Sequence, residues 1–192
     1  MKAVLMSIQP KWCELIASGK KTVEVRKTKP KIETPFRVYI YQTRRTWIYD
    51  IYSRIADWQG KVIGEFVCDS IIQIGYNKNG YGLDDFVING VIAKSCVPEE
   101  ELYHYLQGKK PYLWHISDLI IYDKPKELSE FYKYTEYDDS NNDIRPCRFC
   151  EHNKFDWSEI CEYCDIDFDG EHCFHLQLKR PPQSWCYVEE LR

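Results

Sequence analysis

Two Cys-x2-Cys steps, Cys147/Cys150 and Cys161/Cys164, separated by ten residues, constrain this chain more than any other feature. Each step places two thiolates on one metal from a tight turn, and two such steps complete the tetrahedron that zinc prefers. Four protein ligands leave no position open for water, so a centre of this kind staples a segment and performs no chemistry. His152, His172, Cys173 and His175 lie near enough in sequence to replace one cysteine, and the all-cysteine set is preferred. The competing readings are four buried free cysteines, disfavoured by the polar surroundings, and a redox dithiol, disfavoured because no βαβ pattern surrounds it.

The chain carries nine cysteines, an odd number that cannot pair completely within one molecule. No apolar run approaches the roughly 18 residues that span a bilayer, and the segment Met1 to Ile8 is too short and polar-flanked for a signal peptide. A reducing, cytoplasmic setting without membrane partners is therefore expected, where metal explains clustered cysteines better than disulfides do. The 192 residues, 44% hydrophobic and 15% aromatic, suit one folded domain. Residues 134–143 are polar and acidic. They mark the start of a zinc-binding insertion over 134–180, placed before the last strand of a single domain spanning 1–192.

Elsewhere the pattern predicts mixed strands with a few short helices. Residues 3–8 read as a strand, and Pro10 opens a helix whose Trp12, Leu15 and Ile16 recur at helical spacing, with Gly19 placed to cap it. Thr22 to Arg26 alternates, with Val23 and Val25 on one face and Thr22, Glu24 and Arg26 on the other. Residues 36–41, 61–68, 112–122 and 184–190 are further strands, 47–58, 83–93 and 98–106 are helical candidates, and three glutamates stand in the first turn of the last helix.

The net charge of −4 hides an asymmetry, because residues 1–60 hold twelve Lys and Arg against five Asp and Glu, giving +7 there and −11 over the remainder. A basic face in the N-terminal third follows, short of the overall basic balance of a dedicated nucleic-acid binder. Between Arg37 and Trp47 basic and aromatic residues interleave, as on surfaces that bind single strands by phosphate attraction and base stacking. Arg44 and Arg45 are the candidates for nucleic-acid contact, while most tyrosines there are read as packing. Trp114 is either a core residue or a wall on which a base stacks, and His115 carries the same ambiguity.

Gly19-Lys20-Lys21-Thr22-Val23-Glu24-Val25-Arg26 resembles the G-x-K-x-x-E-x-R signature of the ASCH family, in the PUA-like superfamily. Met6 to Lys11, Gly60 to Phe66, Tyr112 to Ile116 and Pro181 to Tyr187 are similar to the flanks and closing segment of phage and bacterial members. The resemblance implies an α+β fold, a PUA-like β-barrel with short flanking helices, and a cleft beside the signature that holds RNA, DNA or a modified nucleobase. It implies Lys21 against a phosphate or a carbonyl, with Glu24 and Arg26 reading a base edge or forming a salt bridge that closes the barrel. Some members resemble amidohydrolases that remove an acyl group from cytosine using a lysine, a threonine and a glutamate. Lys21 matches that lysine and would be the activating base, with Glu24 or Glu65 assisting, but Glu24 stands where those enzymes hold threonine, and Thr22 is two residues away. The expectation is thus a nucleic-acid or nucleobase binding module. An N-acylcytidine amidohydrolase and a protein-interaction module are the alternatives.

Overall fold

The computed structural model describes residues 1–44, 55–75, 85–134 and 177–191. The chain opens with β1 (Lys2–Ile8), α1 (Pro10–Ala17), β2 (Val23–Arg26) and β3 (Phe36–Gln42). Then follow β4 (Val62–Cys68), β5 (Ile71–Gln73), α2 (Asp85–Ser95), α3 (Glu99–Leu106), β6 (Tyr112–His115), β7 (Ser117–Lys126) and β8 (Trp185–Glu189). Single-turn 3-10 segments lie at Ala56–Trp58 and Leu128–Glu130.

The strands form a five-stranded sheet, β7-β4-β3-β1-β8, and a three-stranded sheet, β2-β6-β5. β1 runs parallel to β3, with Met6 opposite Ile40, and antiparallel to β8, with Leu5 opposite Cys186. A parallel pair needs a crossover connection, and α1 with β2 provides it. Pro10 starts α1, where its missing N–H is no loss. Gly19 ends it at φ +72°, its N–H donating to the Ile16 carbonyl over 2.8 Å.

Both faces of the large sheet are covered, which is why β1 is buried at nearly every position. Val4, Met6, Val38, Ile40 and Phe66 meet Cys13 and Ile16 of α1 and Trp114 of the small sheet. Ala3, Leu5, Tyr39 and Tyr41 pack on the opposite face with Phe131, Leu178 and Val188. A third cluster joins Val25 of β2 to Val91, Val97, Leu102 and Leu106 of the α2–α3 region. Glu24 and Arg26 are therefore as buried as Val23 and Val25, and β2 has no solvent face.

The α+β class holds, but among the described residues the strands do not close into a barrel. At one corner the chain passes from β4 to β5 and from β6 to β7 across short breaks, leaving one sheet for the other. On the other side no ladder links β2 to the large sheet, and side chains span the gap. The expected zinc ligands Cys147, Cys150, Cys161 and Cys164 lie outside the described residues, as do His152, His172, Cys173 and His175 and all of the 134–180 segment but its ends. Among the described residues no helix is long and apolar enough to cross a membrane.

Candidate functional site

Where the ladder is missing, a cleft of about 300 Å³ opens between the end of β1, β2 and α3. Its floor is a buried charge triad. Glu24 Oε2 is 3.1 Å from Lys21 Nζ, and Glu24 Oε1 is 3.0 Å from Arg26 NH2. These three residues are 6%, 1% and 7% exposed in the order Glu24, Lys21, Arg26. Two cations and one anion leave a net charge of +1.

Both cations have main-chain support. Lys21 Nζ donates to the Ser95 carbonyl at the end of α2 over 2.7 Å and stands 5.3 Å from the centre of the Trp12 ring. Arg26 NH2 donates to the Ser7 carbonyl over 2.7 Å, and its NH1 reaches Ser184 Oγ over 3.2 Å. Arg26 thus ties β2 to β1 and to the segment before β8, bridging the sheets where no ladder does. Among the described residues its buried Nε has no hydrogen-bond partner. Glu24 and Arg26, two residues apart on β2, thus stand side by side.

Above this floor Trp12 of α1 and Tyr105 of α3 line the cleft, joined at the rim by Gln9, Thr43 and Gln183. The Tyr105 ring also carries Lys27 Nζ, 4.9 Å from its centre. Burial pushes the Tyr105 hydroxyl up; the charge of Arg26 pulls it down and that of Glu24 raises it. Beneath, burial pushes the Cys13 thiol well above its ordinary value, and Glu24 adds to the effect.

Other residues singled out by sequence lie elsewhere. Glu65 is on the opposite face of the large sheet, where it pairs with Arg37 and accepts from the Tyr122 hydroxyl over 2.6 Å. Arg37 also bonds Glu190 over 2.8 Å. Burial works against the Arg37 guanidinium, but the Glu190 hydrogen bond and the charge of Glu65 outweigh it and hold Arg37 more basic. Glu65 therefore does not face Lys21, and Thr22 is exposed and does not line the cleft. Of the hydrolase candidates, Lys21 and Glu24 meet at 3.1 Å, whereas Glu65 and Thr22 lie elsewhere.

Trp114 is fully buried, edge-on to Phe36 with ring centres 5.7 Å apart and 6.0 Å from Trp185. It offers no ring face to a base and is a core residue. His115 pairs through Nδ1 with Asp69 over 2.7 Å at the surface; its hydrogen bond holds Asp69 below the usual carboxylate range. Arg44 is exposed, lies over Gly60 and is not among the residues lining the cleft, while Arg45 is outside the described residues.

Sequence reasoning missed Trp12, Tyr105, Gln9 and Gln183 as cleft residues. Trp12 sits on the apolar stripe of α1, so its spacing reads as core. Tyr105, at i+3 from Leu102, borders the apolar stripe of α3 and reads as packing, yet it is 37% exposed.

No curated protein matches the chain at a significant level. Among solved structures it is similar to the ASCH protein of Zymomonas mobilis, at 24% identity and a TM-score of 0.48, covering 66% of this chain and 73% of that one. A point mutant of the same protein gives 24% identity and a TM-score of 0.44, covering 67% and 77%. The family model for the ASCH domain matches residues 6–132, which take in the whole triad and most of the cleft wall, and so the chain belongs to the ASCH domain family.

Proposed function

We propose that the cleft binds one base of a single-stranded nucleic acid, RNA foremost, or a modified nucleobase. The observation that carries this reading is the stacking of two layers: aromatic Trp12 and Tyr105 over a buried floor of Lys21, Glu24 and Arg26. Every base has a π-face, so aromatic walls hold it without regard to sequence. The charged floor supplies the polar edge contacts that orient it. At about 300 Å³ the space lies at the lower end of ligand sites. A base with its sugar suits it, and a duplex does not.

The test is fluorescence anisotropy with short single-stranded RNA, alongside calorimetry with free nucleosides. Base stacking is worth about 1–3 kcal/mol per base, so Trp12→Ala or Tyr105→Ala should weaken binding by roughly 5- to 150-fold. Equal binding by both variants, or no binding by the wild type, defeats the reading.

A structural zinc on Cys147, Cys150, Cys161 and Cys164 belongs to the same proposal, supported by the ligand spacing. The metal would fix the fold of the 134–180 insertion, which rejoins the chain just ahead of Gln183 at the cleft rim. A single domain over 1–192 in a reducing, cytoplasmic compartment fits the free thiols of Cys13, Cys68, Cys96 and Cys186.

A further inference from the structure

α3 runs along the cleft from an acidic end to a basic one. Glu99, Glu100 and Glu101 occupy its first turn. Past its last turn the chain carries Lys109 and Lys110, both exposed. β2 ends at Arg26 directly opposite Tyr112, where β6 begins, so Lys27 and Lys110 flank the same end of this strand pair. Lys27 Nζ stands 4.9 Å from the centre of the Tyr105 ring, which is itself a wall of the cleft.

Among the described residues no carboxylate pairs with Lys27, Lys109 or Lys110, whereas Lys11, at the acidic end, is held by Glu101 at 2.6 Å. A hollow beside that acidic end is lined by Pro98, Glu100, Glu101 and His104. Eight residues of helix separate the two ends by about 12 Å. That exceeds the Debye length of about 8 Å at physiological salt, so an anion at one end scarcely feels the other. Lysines past a helix C-terminus also complement its dipole, but that effect fades within one turn and needs only one of the three.

We infer that Lys27, Lys109 and Lys110 form a one-sided phosphate track: a single strand whose base enters the cleft runs its backbone over this corner, with Tyr105 as the pivot, and is turned away from the α3 N-terminus. This rests on the base-binding reading of the cleft. Three phosphate contacts on a single strand give a salt slope of about −2, or roughly an 18-fold loss of affinity between 50 and 200 mM salt.

The experiment measures Kd for a labelled single-stranded RNA of about eight nucleotides at both salt concentrations. The proteins are the wild type, Lys109→Gln/Lys110→Gln and Glu99→Gln/Glu100→Gln, with free uridine as a second probe. The lysine variant should keep uridine binding and the wild-type melting temperature, while its salt-dependent loss shrinks to roughly 3-fold. The glutamate variant should bind RNA no more weakly than wild type. RNA binding with an unchanged slope in the lysine variant, or weakened binding in the glutamate variant, overturns the track and leaves the cleft standing. Absence of RNA binding by the wild type overturns both.

Discussion

Replacing Glu24 by glutamine keeps the shape of the side chain at the centre of the triad and removes its charge. Lys21 and Arg26, now 3.1 and 3.0 Å from its oxygens, are left as buried cations around a neutral amide. With an effective dielectric constant of about 20, each contact carries roughly 5 kcal/mol of Coulomb attraction. Most of that attraction offsets the desolvation of the three ions. Deleting one partner leaves the desolvation of the others uncompensated, so Glu24→Gln should destabilise by about 3–5 kcal/mol. For a chain of this size that lowers the melting temperature on the order of 10 °C. The double variant Lys21→Met/Glu24→Gln removes one stranded cation and should recover part of the loss. Urea titrations of the wild type, both single variants and the double variant yield the coupling energy. A Glu24→Gln loss below about 1 kcal/mol, or single effects that simply add, would refute a triad acting as one buried unit.

Three other outcomes follow from the structure. A Cβ on Gly64 of β4 would overlap the Ile120 carbonyl oxygen of β7, a backbone atom that cannot swing aside, so Gly64→Ala should cost about 2 kcal/mol in a urea titration. Burial pushes the Tyr39 hydroxyl up to about 12 from its ordinary 10. Because the folded value is raised, the stability it confers is complete below pH 10 and is lost as pH climbs toward 12. Tyr39→Phe should flatten that decline in urea midpoints taken across the window, and an identical decline in both proteins counts against the assignment. Purified protein should carry about one zinc per chain, and chelation should expose the 134–180 segment to protease while the circular dichroism of the sheets persists. Metal-free protein with unchanged protease resistance would remove the zinc centre.

Strands with strong alternation were legible in the sequence, as was α1, because Pro10, the apolar spacing and Gly19 agree on its limits. β5 was not, since three residues at a sheet edge, with Ile72 exposed, show no period. The triad was legible as three residues and two spacings, but not as a buried object. Alternation implies that one face of a strand is wet, and β2 is covered on both, by α1 and the large sheet on one side and by the α2–α3 region on the other. Trp114 and Glu65 illustrate the same limit: residue type suggests a chemistry, but only the packing of distant segments decides which face of which sheet a side chain occupies. Among the described residues the sheets stay open beside β2, where side chains replace a ladder, and no local pattern encodes whether two distant strands pair.

The antiparallel pairing of β1 with β8 has a consequence for the order of assembly. Met6 sits opposite Trp185, and Ser7 takes a hydrogen bond from Arg26 while donating its own N–H to Ser184 over 2.9 Å. These contacts join the first strand to a segment synthesised only after the whole 135–176 stretch. Contacts of such long range are entropically slow to form, so β1, β3 and β4 should associate early and β8 should dock last. Until it does, Arg26 lacks its Ser184 partner and Gln183 is missing from the rim. A nascent chain can therefore possess most of its core, and the walls and floor of the cleft, before the last piece of the rim is in place.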